Sequence, residues 1–98
     1  KHPEITALFC ASDMMAMSAL RVARDLSLNV PEDLSVIGFD DIPFAQYLTP
    51  PLATVRQDFY MMGYHGGKQL VKMIKHDAVE KKIYIEHKVL ARETIHML

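Results

Sequence analysis

SVIGFDDIPFAQYLTPPLATVRQ, residues 35–57, decides how this chain reads. Its first five residues form a short apolar run, the pattern of a strand covered on both faces. Asp40 and Asp41 end that run abruptly. Residues 42–51 then predict a loop, with room for one short helical turn, and residues 53–57 predict a third, short strand. A buried strand that stops at two carboxylates draws attention to the space beyond it. In open parallel sheets, ligands bind beyond the carboxyl ends of the strands.

Working outward, residues 5–11 (ITALFCA) form another continuous apolar run and predict a buried parallel strand. Ser12 is a suitable N-cap, and Asp13 places a negative charge in the first turn of a helix over 13–28. That helix has an apolar stripe of Ala16, Ala19, Leu20, Ala23 and Leu26, with Ser18, Arg21 and Asp25 opposite. Met14, Met15 and Met17 make its first half apolar nearly all round, so two surfaces there need covering. Asn29, with Pro31 just beyond, is the expected left-handed stop. Downstream, Asp58 can cap a second helix over 59–76. Its expected inner face is Phe59, Met62, Gly63, Gly66, Gly67, Leu70, Met73 and Ile74, and its outer face His65, Lys68, Lys72 and Lys75. Three glycines so close together imply either near contact with another backbone or a soft helix. Residues 81–95 read as one or two closing strands. The order β-α-β-loop-β-α-β predicts an α/β fold with a mainly parallel sheet.

Composition narrows the function. Half of the 98 residues are hydrophobic and the net charge is −1, so the chain has no basic footprint for nucleic acid. Cys10 is the single cysteine, which rules out an intrachain disulfide and a multi-cysteine zinc site. It is expected to be buried and reduced, in keeping with a cytoplasmic protein. No apolar run reaches the ~18 residues of a membrane helix, and no signal peptide is expected. Buried strands in so short a chain, and a start without Met, point to a fragment of a longer protein. The histidines lie away from the strand ends and lack metal spacing, and no phosphate-cradling glycine loop follows a strand. The expectation is therefore no enzyme, no metal and no cofactor.

Three strand ends carry hydrogen-bonding groups: Ser12-Asp13, Asp40-Asp41 and Arg56-Gln57. The carboxylate of Asp40 can accept from two neighbouring hydroxyls, the geometry that grips a sugar ring. It can equally form an Asx-turn, and the pattern leaves both open. Asp41 reads as a turn-former, Ser12 and Asp13 as cap and helix-dipole partner, and Gln57 as ligand contact or solvent-facing residue.

These residues also carry a resemblance. Ala11-Ser12-Asp13-Met14-Met15-Ala16, the run from Val30-Pro31 through Gly38-Phe39-Asp40-Asp41, Pro50-Pro51-Leu52-Ala53-Thr54-Val55, Met62-Gly63 and LARETI at 90–95 are similar, in order, to the lactose-repressor/galactose-repressor family. The resemblance covers nearly the whole chain and is weakest over 75–82. It implies a three-layer α/β/α architecture of the type I periplasmic-binding-protein kind, here incomplete. Residues 1–57 and 88–98 would form the C-terminal lobe of an effector-binding core. Residues 58–87 would be a helix and strand of the N-terminal lobe. A DNA-reading headpiece would lie outside the chain, and an effector, a sugar or related metabolite, would sit between the lobes. Its contacts would map to Ser12, Asp40 and Gln57. Ser12 stands where the family more often has Asn, which shortens its reach, and Ala53 replaces the usual Thr or Ser. Homodimer contacts would map to Met14, Met17, Arg21, Phe44, Tyr47 and Leu48. The implied function is metabolite sensing by a cytoplasmic transcription regulator. The alternative is a secreted sugar-binding protein of a transport system.

Overall fold

A computed structural model of the chain describes residues 4–96. Residues 1–3 and 97–98, the outer ends of the first expected lobe, lie outside the described residues. The elements follow in the order β1 (Ala7–Phe9), α1 (Asp13–Asp25), β2 (Ser35–Ile37), a 3-10 turn (Ala45–Tyr47), β3 (Thr54–Gln57), α2 (Phe59–Ile74) and β4 (His87–Leu90). The expected alternation is present. The strands are shorter than the apolar runs that mark them, although backbone pairing extends beyond β1 and β2. Ser35 N–H donates to Thr6 O and Cys10 N–H to Ile37 O, each at 2.8 Å.

β1 and β2 are parallel, with Leu8 opposite Val36. β3 runs parallel to the end of β2 through bridges Ile37–Ala53 and Asp40–Arg56, and pairs on its other side with β4. Residues 82–86, expected as a strand, remain unpaired. A strand is defined by the ladder it joins, and the alternation of Ile83 and Ile85 has no neighbour here to join. The chain divides into two compact units: Lys1–Arg56 with Lys88–Leu98, and Gln57–His87.

In the first unit, Cys10, Ala16, Val36, Ala45 and Leu52 are buried together, with Ala19, Leu20, Val30, Leu34, Ile42 and Leu48 packed around them. Fully burying a side chain such as Leu52 contributes about 1.5–3 kcal/mol. Burial raises the Cys10 thiol above its ordinary pKa by desolvation, so it stays protonated near neutral pH. β1 is less covered than its sequence predicts, with Phe9 68% exposed. All three residues of β1 are exposed, so a strand written for two covered faces is poorly covered on both.

Both helices start and stop by local chemistry. Ser12 Oγ accepts from Met15 N–H at 3.2 Å, and Asp58 Oδ1 from Met61 N–H at 3.0 Å. α1 ends earlier than expected. Ser27, not Asn29, takes the left-handed conformation, with φ 58°. Ser27 N–H donates to Arg24 O and Leu28 N–H to Ala23 O, closing a Schellman motif. His76 does the same for α2: it has φ 60°, and Asp77 N–H donates to Lys72 O. Leu26 lies beyond the last full turn of α1 and is exposed, not part of the buried stripe.

The face of α2 that turns toward its own unit is the reverse of the expected one. Met61, His65, Gln69 and Lys72 are half-buried, whereas Phe59, Leu70, Met73 and Ile74 are exposed. Residues 77–86 pass along the His65–Gln69 side, where Glu80 N–H donates to Gln69 Oε1 at 3.2 Å. The apolar stripe has no layer to pack on within this unit. A methyl group added at Gly63, Gly66 or Gly67 would meet nothing within 4 Å, so close backbone contact is not what these glycines provide here.

Candidate functional site

The parallel register places the carboxyl ends of β1 and β2 side by side. Asp13 N–H donates to Phe39 O at 3.0 Å, so the start of α1 is bonded directly to the end of the β2 segment. Gly38 makes this approach possible. A Cβ there would collide with Asp13 Oδ1 and come within 3.1 Å of Asp13 Cα.

Asp13 is completely buried. Its Oδ1 accepts from Thr54 Oγ1 at 2.6 Å and its Oδ2 from Ile42 N–H at 2.8 Å. Thr54 Oγ1 also accepts from Asp41 N–H at 3.2 Å. One carboxyl group and one hydroxyl thus tie the first turn of α1, the loop after β2 and the start of β3 together. Reading Asp13 as cap-region charge alone missed this cross-link, because its partners lie 29 and 41 residues away.

Asp40 and Asp41 both have left-handed backbone, with φ 109° and 58°. Non-glycine residues held in sparsely populated conformations cost of order 1–3 kcal/mol each and persist where their surroundings over-determine them. Here the surroundings are explicit. Asp40 N–H donates to Val55 O at 2.9 Å. Arg56 Nε donates to Asp41 Oδ2 at 2.8 Å, and Arg92 Nη2 lies 3.0 Å from Asp41 Oδ1. Arg92 Nη1 donates to Leu52 O at 3.1 Å. Asp41 is therefore more than a turn-former: it is an ion-pair centre joining β3 to the segment after β4. Thr94 completes the seam. Its hydroxyl donates to Val36 O at 2.6 Å and accepts from Ala53 N–H at 2.8 Å.

Of the expected ligand contacts, Ser12 and Asp40 stand at adjoining strand ends, both partly exposed. The hydroxyl of Ser12 spends an acceptor on its helix cap and keeps its own proton to donate. Gln57 is the last residue of β3 and opens the second unit. Of the expected dimer contacts, Met17, Arg21 and Leu48 line one concavity of about 450 Å³ beside the second half of α1. Met14, Phe44 and Tyr47 are exposed, at 63, 67 and 75%. Among the described residues, no group of three His, Cys, Asp or Glu is placed to hold a metal. No described helix is long and apolar enough to cross a membrane.

The sequence reading named Arg56 only as a strand-end hydrogen-bonding residue and left Arg92, Thr54 and Thr94 without roles. The available signal was the LARETI motif itself, which puts an arginine and a threonine two residues apart at the end of an apolar segment.

Residues 1–95 match the periplasmic binding protein-like domain. The helix-turn-helix-type transcriptional regulator MalR of Streptomyces coelicolor is 49% identical over 71 residues, 72% of this chain and 21% of its own. Two solved structures are similar in fold and sequence. One is a complex of the transcriptional regulator CelR with cellobiose (TM-score 0.86, 36% identity, 95% of this chain and 29% of that one). The other is the lac repressor dimer bound to operator and the anti-inducer ONPF (TM-score 0.85, 32% identity, 92% of this chain and 32% of that one). The chain thus spans about a fifth to a third of the length of these relatives.

Proposed function

The chain belongs to the periplasmic binding protein-like domain family, among relatives that are transcriptional regulators of the lactose-repressor type, and from that premise we propose that it is the effector-binding and dimerisation part of a bacterial DNA-binding regulator. The regulator senses a small metabolite, a sugar or close relative, and binds operator DNA through a headpiece outside this chain. It is a cytoplasmic binding protein and not an enzyme. The first unit belongs to the C-terminal lobe of the core and the second to the N-terminal lobe, in a complete three-layer α/β/α architecture.

The observation that carries this reading is the rim itself. Ser12 offers a hydroxyl and Asp40 a carboxylate at the carboxyl ends of adjoining parallel strands, where such sheets bind ligands. Hydroxyl and carboxylate together suit a polyhydroxylated ligand. Gln57, the last residue of β3, is proposed as a further contact on the resemblance alone, its amide able both to donate and to accept. Relatives of the regulator kind favour sensing over transport.

The test is calorimetric titration of the protein that carries this chain with glucose, maltose, cellobiose and ribose. A saccharide that binds the wild type is expected to bind Asp40→Ala at least tenfold more weakly, since a hydrogen bond to a charged group contributes about 1.5–3 kcal/mol. It is also expected to change operator affinity in a mobility-shift assay. Binding unaffected by Asp40→Ala, or operator affinity indifferent to every metabolite tried, overturns the reading.

For the dimer we propose Met14, Met17, Arg21, Phe44, Tyr47 and Leu48 as contacts. Their supporting observation is a largely exposed apolar surface on the first unit. Tyr47→Glu is expected to shift the protein toward monomer in sedimentation velocity.

A further inference from the structure

We propose that Arg92 and Arg56, acting through Asp41, are positioning residues for Asp40: they hold the left-handed Asp40–Asp41 backbone from which Asp40 meets the effector. This rests on the effector reading above and extends it to residues that do not themselves stand at the rim.

The argument starts from two adjacent positive φ angles, 109° at Asp40 and 58° at Asp41. Neither residue is glycine, so the conformation needs outside support. Asp41 receives it on both carboxylate oxygens and on its amide. Arg56 approaches from β3, and Arg92 from the segment after β4. Thr54 Oγ1 accepts the Asp41 amide, and that hydroxyl is itself anchored on buried Asp13. The Asp41 side chain is 11% exposed and that of Arg92 17%, so this pair is better sheltered than a surface salt bridge, whereas Arg56 is 55% exposed. Arg92 also donates to Leu52 O, a second anchor for its guanidinium. All these groups belong to the first unit.

Turning the Asp41 peptide would carry the preceding carbonyl, and with it the Asp40 Cα–Cβ direction, away from the rim. The role of Arg92 is thus conformational rather than a contribution of charge to the ligand. Asp41 supplies the decisive comparison. Asp41→Ala and Asp41→Gly remove the same carboxylate, but glycine takes a positive φ without a Cβ penalty and alanine does not.

The experiment measures two things on the protein that carries this chain. The first is the dissociation constant of whichever of glucose, maltose, cellobiose or ribose binds most tightly. Asp41→Ala and Arg92→Gln are expected to weaken it tenfold or more, Asp41→Gly by less than threefold, and the double variant Asp41→Gly, Arg92→Gln is expected to recover most of the Arg92→Gln loss. The second is hydrogen exchange at single amides. In Arg92→Gln the Asp41 and Ile42 amides are expected to exchange at least tenfold faster, while those of Ser35 and Cys10, in the β1–β2 ladder, stay within twofold. Equal weakening by Asp41→Ala and Asp41→Gly overturns the proposal. So does uniform acceleration across all four amides, which is the mark of plain destabilisation. If none of the saccharides binds the wild type, the effector reading fails and exchange alone decides: acceleration confined to Asp41 and Ile42 sustains the backbone clamp, and no acceleration there overturns it.

Discussion

The two units are held together in different ways. The first is closed by contacts between residues far apart in sequence: Thr94 with Val36, 58 positions away, and Asp13 with Thr54, 41 positions away. Its buried polar groups answer one another, and no buried side-chain nitrogen or oxygen among the described residues lacks a partner. The second unit is local. Asp58 caps its helix, Tyr60 and Tyr64 stack one turn apart, and Lys68 lies over the Tyr64 ring. α2 buries none of its residues. A unit built on long-range bonds depends on single atoms. A unit built on one helix depends on backbone propensity, and three interior glycines weaken that by about 1 kcal/mol each.

This contrast can be broken by substitution. The largest effect is expected at Gly38→Ala, where the new methyl meets the Asp13 carboxyl and backbone. A loss of about 3 kcal/mol in urea denaturation would follow from that overpacking. Next is Thr54→Val, which keeps the shape but leaves Asp13 Oδ1 and the Asp41 amide without their common partner. A loss of about 2 kcal/mol is expected, readable as a lowered denaturation midpoint. In the second unit the sign reverses. Gly66→Ala adds a methyl to open space, so a gain of up to about 1 kcal/mol and more helical circular dichroism are expected. A loss at Gly66→Ala would show that another part of the longer protein packs there. The smallest effect is expected at Arg21→Ala, whose exposed pairing with Asp25 spans one helical turn. Less than about 0.5 kcal/mol should be lost.

What could be read without the structure follows the same division. Ser12 and Asp58 were legible as caps because a cap is decided within four residues. The order of elements was legible because apolar runs and a 3.6-residue stripe are local patterns. The left-handed stop after α1 was misplaced by two residues, since Ser27 can take that position and the prior preference for Asn pointed elsewhere. The inward face of α2 was reversed, because an apolar stripe states what a helix can bury and not what is available to bury it. At the site, Asp40 and Ser12 stood out by their place at strand ends. Arg56 stood at a strand end too, but its pairing with Asp41 was not legible, and Arg92 and Thr94 did not stand out at all, since their partners are fixed by β3 returning beside β2 and by the last segment crossing back to β2 and β3.

The sequence by itself determined the alternation of strands and helices, the caps and the family. It also determined that the carboxyl ends of the strands would carry a hydroxyl, carboxylates and an amide. Tertiary structure alone decided what those groups do. It buried Asp13 as a cross-link, turned two consecutive aspartates into left-handed backbone, and gave Asp41 two arginines from distant segments. The reason is that hydrogen bonds and ion pairs act over about 3 Å in space, whatever the separation along the chain.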